Sequence, residues 1–529
     1  MVAGRAATIM VTNLADSGPG TLRQALADNT SLGGGNTITF SNSITGAITL
    51  TTTELTVAAP ATIRGPGPGV LAVSGNRIGR VFSVLAGTTQ ISGLTIRDGL
   101  VIGGAGALGQ DGANGRGGGI FNQSTLTLSN CVVRSNSVVG GMGGQRNLGV
   151  VGSGGAGLGG GVCNAGGNVF LISCSFDHNT AVGGQGGGAA TGDAGSGGNG
   201  LGGAIYTIGG TNQLTACSLL GGVAMGGSGG VSTNGGTAGN RGQGYGAGLY
   251  NESKTSVFSS TISGGNAVGA ASGSSVGSGY GGGIFNGADL ALLSCTIASN
   301  SASGSSFDAG GGNYNIGVLG ITNCTIAGNQ ADFGGGLNGN ANAAGTIFGA
   351  NTAGTGPDVN GTINSFDYNL LQSSSGANVA GASGHVIVGQ SPLLGPLQDN
   401  GGPTLTMALL PGSPAIDQGN SFGLTTDQRG LPRPLDSPAV ANPGGGDGSD
   451  IGAYELMTGP QLNIQRASSN SVVLFWSTNT ANFNLQSATK LSAGNIWSNV
   501  NSARVNVGGQ IYVTNSASGT GKFYRLSFP

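Results

Sequence analysis

The residues best equipped for chemistry in this chain are few, and they fall together. Aligning the segments RDG, RSN and DHN places Arg97, Arg134 and Asp177 in one outward column, with Asp98, Ser135 and His178 in the next. A cationic base beside a carboxylate and an imidazole can abstract a sugar C5 proton, or serve as acid and base at a glycosidic bond. The plainer reading is a surface ion pair worth under about 1 kcal/mol beside a solvated histidine. Composition favours the plainer reading. Between residues 100 and 340 the acids are Asp111, Asp177, Asp193, Glu252, Asp289, Asp308 and Asp332, most of them in loops at unrelated repeat positions. The loops GQDGANGRGG and GDAGSGGNG each offer one Asp, which makes poor Ca²⁺ ligation; Ca²⁺ is a weak expectation and no other metal or cofactor is expected. GxGxxG strings follow no βαβ pattern, which argues against nucleotide binding.

A repeat must position such a column, and cysteine marks it. Cys131, Cys174, Cys217, Cys295 and Cys324 each follow, by about a dozen residues, segments opening near Ile120, Val162, Ile205, Ile284 and Asn313. Leu94 and Ser260 hold the same slot in coils that lack the cysteine. TLTLSNCVVRSN and its equivalents alternate apolar residues, bend, and resume as Cys-x-Ile, the pattern of strand, corner, strand. Leu126 and Leu128 should point inward, and Cys131 and Val133 again after a bend at Asn130. Phe176, Leu219, Ile262, Ile297 and Ile326 continue the Val133 column. Each coil then buries what its neighbour covers.

Asparagines form two further columns: Asn122, Asn164, Asn251, Asn286 and Asn315, then Asn136, Asn179, Asn300 and Asn329. Asn tolerates left-handed bends, and its amides can also hydrogen-bond along a stack. The Cys and Asn ladders are read as fold signals. The thiols are expected to be mostly unpaired, since spacing alone does not aim side chains at each other and no CxxC or Cys/His metal pattern occurs.

The chain carries 113 glycines in 529 residues, 7% charged residues and a net charge of -2. Its lysines are Lys254, Lys490 and Lys522, far from the basic patch that nucleic acid requires. No run of eighteen apolar residues suggests a membrane span. The opening MVAGRAATIMV lacks a full signal peptide, although GRAA would suit a trimmed junction or a cloning scar.

Four parts are predicted: residues 1–36, an N-terminal strand and capping helix with Leu22 to Ala27 as its helical turn; 37–390, about ten parallel coils; 391–459, an irregular closing region; and 460–529, a small β-sandwich with Trp476 and Trp497 in its core. In the closing region Asp427, Arg429, Arg433, Asp450 and Glu455 are read as buried or semi-buried pairs. Between coils lie glycine-rich inserts such as GGAGALGQDGANGRGGG and GGQGGGAATGDAGSGGNGLGG. All leave from one corner and must lie side by side. They are either a mobile fringe, because glycine is entropically expensive to order, or stacked polyproline-II-like strands, because glycine lets backbones approach.

DSGPGTLRQAL, ATIRGPG, ISGLTIRDG and the repeated GGGIFN and SNCVVRSN resemble bacterial right-handed parallel β-helix surface proteins. SPLLGPLQDNGGPTLTMALLPGSPAIDQGN, DQRGLPRP and SDIGAYEL are similar to the choice-of-anchor Q domain found in such proteins. The end, GKFYRLSF, is similar to small C-terminal sandwich modules of secreted bacterial proteins. The resemblance implies an all-β protein, a right-handed parallel β-helix with glycine-rich inserts, displayed outside the cell or on a bacterial surface, and no single activity. The function expected is that of a non-catalytic adhesin or matrix component, binding an extracellular polysaccharide, another surface or copies of itself. The alternatives are a polysaccharide lyase or glycoside hydrolase using the Arg97, Arg134, Asp177, His178 column, and an ice- or surface-binding protein, for which no TxT column persists.

Overall fold

The computed structural model describes residues 6–147, 151–274, 277–305, 307–437, 440–457, 462–468, 470–477, 483–490, 496–516 and 521–527. Residues 148–150 of the second insert, 275–276 of the fifth, and 4–5 of the GRAA segment lie outside these. Among the described residues the one helix is α1, Leu22–Ser31, and nearly all other regular structure is strand.

A typical coil runs through Ile120–Asn122 and Thr125–Ser129, bends, continues as Val132–Arg134, bends again and leaves as Ser137–Val139. These segments join parallel sheets of twenty, twelve and six strands, with register stepping one coil at a time. Twelve rungs rather than about ten, at one strand spacing each, make a parallel β-helix roughly 50 Å long. Val133 pairs with Ile96 on one side and Phe176 on the other, and Leu219, Ile262, Ile297, Ile326 and Phe348 complete a dry column. Cys131, Cys174, Cys217, Cys295 and Cys324 lie beside it, buried and unpaired. Their slot continues through Ser260 and Thr346, whose hydroxyls accept from the Cys217 and Cys324 amides at 3.0 and 3.4 Å.

Both asparagine columns are buried amide ladders. Asn122 donates to Asn164 at 2.7 Å, Asn251 to Asn286 and Asn286 to Asn315 at 2.7 Å, and Asn136 to Asn179 at 3.0 Å. The left-handed bends expected of these asparagines lie elsewhere. They fall one residue before the cysteine slot, at Asn130, Ser173, Ala216 and Ser259, and one residue before the second asparagine column, at Ser135 and His178 with Asp98 at the same place in the coil before, all with φ between 46° and 54°. The amide is thus free to stack while its neighbour turns the chain.

The inserts are ordered. Outgoing segments form one layer through Gly103, Gly140, Gly183 and Gly226, each donating its amide to the carbonyl of the next coil at 2.8–2.9 Å. The contact recurs three residues later at Gly106, Gly143, Gly186 and Gly229. Returning segments form a second layer through Gly112, Gly154 and Gly197, and amides of Gly141, Gly184 and Gly227 cross between the layers at 2.8 Å. A three-residue repeat of this kind is the period of polyproline II. A Cβ at Gly140, Gly183 or Gly198 would strike the carbonyl oxygen of Gly155, Gly198 or Gly155 respectively, so the close approach requires glycine. The fringe alternative is thereby corrected to a two-layer slab.

α1 covers the first coil with Leu22, Ala25, Leu26 and Asn29, and extends past the expected Ala27 because Asn29 hydrogen-bonds the Pro60 carbonyl and Asn36. The closing region lies back along the outer face of the twelve-stranded sheet. Fully buried Gln428 accepts from Thr296 at 2.6 Å and donates to Thr261 and Thr404 at 2.9 Å. Its ion pairs, Arg429 with Asp427 and Arg433 with Glu455, are buried at 2.8 Å. Asp450 lies in the same network, donating its amide to Glu455. The last residues form antiparallel sheets of four and three strands around Leu474, Trp476, Leu485, Ile511 and Val513. Trp497 is not in that core: it is half-buried, with the Arg525 guanidinium 4.4 Å from its ring centre.

Candidate functional site

The closing region covers the outer face of the twelve-stranded sheet from Thr261 onward and leaves the N-terminal coils open. Arg97, Arg134 and Asp177 stand in register on this open part. Arg97 and Arg134 both line a depression of about 650 Å³, walled by Thr45 to Ala47 and Pro68 to Ala72. The adjacency expected between Arg134 and Asp177 is present in the backbone and absent from the side chains. Asp177 turns to His178, 2.6 Å from its Nδ1, and Arg97 pairs with Asp98 at 2.8 Å. Arg134 is exposed, and its side chain makes no hydrogen bond or ion pair among the described residues.

His178 itself is a corner residue, φ 49°, with its side chain 75% exposed. Histidine is among the few side chains enriched in the left-handed region, as are Asp and Asn. A turn requirement therefore accounts for His178 and Asp98 without catalysis. The arrangement can hold an anion between two guanidiniums, with its one imidazole largely exposed to water beside them.

The carboxylates of the inserts stitch coils together. Asp111 accepts the Ser153 amide at 2.7 Å, and Asp193 accepts the amide and hydroxyl of Thr237 at 2.9 and 2.7 Å, which holds its carboxyl below the usual range. Asn114 and Asn199 do the same for Ala156 and Gln243. Among the described residues no three His, Cys, Asp or Glu side chains converge as a metal site.

Where the slab meets the solenoid, a second set of side chains gathers that the Cys and Asn ladders hid. Phe121, Cys163, Tyr206, Tyr250, Phe285 and Tyr314 occupy one outward column, each one residue after the start of its coil. Tyr206 stacks on Tyr250 at 5.1 Å, Tyr250 on Phe285 at 4.8 Å and Phe285 on Tyr314 at 5.6 Å. Leu158, Leu201, Tyr245 and Tyr280 face them from the returning layer. The two walls thus close on each other as a second, buried core between slab and solenoid. The alignment that opened each repeat at Ile120, Val162 and Ile205 already contained this column, as the residue after each start.

No family model matches the chain, and no curated protein matches it. Among solved structures it is similar to the Dettilon tailspike protein gp208, at 11% identity and a TM-score of 0.29, over 97% of this chain and 90% of that one. It is also similar to a mannuronic acid specific polysaccharide family 6 lyase from human gut microbiota, at 11% identity and a TM-score of 0.25, over 72% of this chain and 92% of that one. With TM-scores this low, neither likeness bears on what this chain does. Among the described residues no helix is long and apolar enough to cross a membrane.

Proposed function

We propose that this is a non-catalytic binding protein of the bacterial surface or extracellular matrix, a right-handed parallel β-helix ending in a small sandwich module. Its partner is an extended extracellular polysaccharide laid along the solenoid. The observation that carries this reading is the ordered slab: the glycine inserts stack coil by coil into a long flat face of backbone and small polar groups, a shape suited to a linear polymer. The motifs resembling the choice-of-anchor Q domain support display at the cell surface, and the flat slab offers a face for contact with another copy.

A polysaccharide lyase is the second reading, favoured by Arg97 and Arg134 lining one depression on the open sheet face. A glycan array and a depolymerisation assay, with and without Ca²⁺ and beside an Arg134→Ala/His178→Ala double variant, decide between them. Retention of a glycan without product release supports the binding protein. Product release that the double variant loses overturns it in favour of the lyase, and failure to retain any glycan overturns the polysaccharide partner.

A further inference from the structure

The outward aromatic column is interrupted once. Where its neighbours carry Phe121 and Tyr206, the coil between them carries Cys163, and its next outward residue is Ala165 where the following coil has Ile208. Gly166 completes a run of small residues. A notch of about 370 Å³ results, bounded on the solenoid side by Cys163, Ala165 and Tyr206 and on the slab side by Asn114, Arg116 and Leu158. That volume is at the small end of ligand sites, enough for one ring and its substituent.

Three features of the notch point to the same occupant. Tyr206 is stacked on Tyr250 through one face, while the next rung on its other side is Cys163 and supplies no aromatic partner. Its ring is more than nine-tenths buried, and its hydroxyl makes no hydrogen bond among the described residues, whereas the Tyr250 hydroxyl donates to Glu252 at 2.6 Å. Arg116 reaches the notch with a guanidinium that has no hydrogen-bond or ion-pair partner among the described residues. Apolar walls, an unmatched ring face and one unpaired cation at the rim together select a flat apolar ring bearing a negative charge. A sugar would leave several hydroxyls against Leu158, Ala165 and Ile208.

We propose that the notch over Cys163 binds a small aromatic carboxylate, its ring continuing the aromatic column beside Tyr206 and its carboxylate paired with Arg116. The site lies at the edge of the buried aromatic cluster rather than on the slab's flat face, and it does not rest on the polysaccharide reading. Cys163 is a neutral floor rather than a nucleophile, because burial pushes its thiol up to about 12 against the opposing pull of Arg116 and Arg80.

Saturation-transfer NMR and calorimetric titration of the full chain with benzoate test the assignment, with benzamide and glucuronate in parallel arms. Ala165→Ile fills the notch with the residue that the next coil already carries at that position, so the fold tolerates it. Arg116→Gln removes the charge and keeps a polar side chain. Saturable benzoate binding, weaker by about tenfold in each variant and weaker for benzamide, is the expected result. Benzoate binding that neither variant changes, no saturable binding, or preferential binding of glucuronate that Ala165→Ile abolishes would each overturn it. Unchanged melting temperatures of the two variants show that any loss is local.

Discussion

Asp16 does more for this chain than any acid in the column first suspected of chemistry. Its Oδ1 accepts from Arg23 at 2.6 and 3.1 Å, and its Oδ2 from the amides and hydroxyls of Thr51 and Thr52 at 2.7–3.2 Å. Burial pushes the carboxyl up, but these donors outweigh burial and hold it at about 2, against 3.8 unperturbed. The lowered value means stabilisation that is complete above pH 4 and is lost as the pH falls toward 2. At about 1.36 kcal/mol per unit the contribution is on the order of 2 kcal/mol. Asp16→Asn should therefore lower unfolding free energy by about that amount at pH 7 and by little at pH 2, read from urea titrations at both. An equal deficit at both pH values would show that the charge is not the cause. The DSGPGTLRQAL motif contains both partners, but nothing in it says that the Thr51–Thr52 loop completes the site, because that contact spans 35 residues. His178 presents the opposite case. Its type suggested chemistry, while the bend that explains it becomes visible only in φ.

At the scale of elements, legibility followed side chains. The Cys, Val133 and Asn columns could be read because each coil contributes a side chain of like type to a dry ladder, and burial enforces that likeness. The slab left two alternatives standing because its order is written in backbone contacts, for which glycine is the absence of a signal; the three-residue contact spacing alone distinguishes it from a loose tether. The aromatic column lies in the same alignment, one residue after each coil's start, but its mixed Phe, Cys and Tyr types do not mark it as a ladder. Two substitutions separate contact from mere composition. Gly198→Ala drives a methyl into the Gly155 carbonyl, whereas a methyl at Gly104 meets nothing within 4 Å. Gly198→Ala should lose amide protection across residues 183–203 while the solenoid strands keep theirs. Gly104→Ala should be neutral, or stabilising by up to about 1 kcal/mol through the unfolded chain. Hydrogen exchange reads both, and equal protection in the two variants would mean that backbone contact does not order the slab.

Over the whole molecule, the unexpected arrangement is the closing region lying along the flank of the coils that precede it. Parallel coils expose a sheet face to solvent, and a face studded with hydroxyls at Thr261, Thr296 and Thr325 invites cover from polar partners. Gln428 satisfies two of these hydroxyls, and Thr325 accepts the Ala453 amide at 3.1 Å. Leu370, Ile347, Leu409, Ala415 and Ile451 form a separate apolar cluster beneath the same cover. The region therefore decides how much of the sheet face remains open, and so where a ligand can reach Arg97 and Arg134. Gln428→Ala would leave Thr261 facing Thr296 with a buried cavity and lost donors, at a cost of about 2–3 kcal/mol. Because neither the apolar cluster nor the ion pairs include Gln428, that cost should appear as local opening rather than global unfolding. Limited proteolysis should then cut within residues 391–437 of Gln428→Ala under conditions that spare the parent, while the far-ultraviolet circular dichroism of the solenoid stays unchanged. Simultaneous loss of the sheet signal and the closing region would instead mean that the two fold as one cooperative unit, with the cover as necessary to the coils as they are to each other.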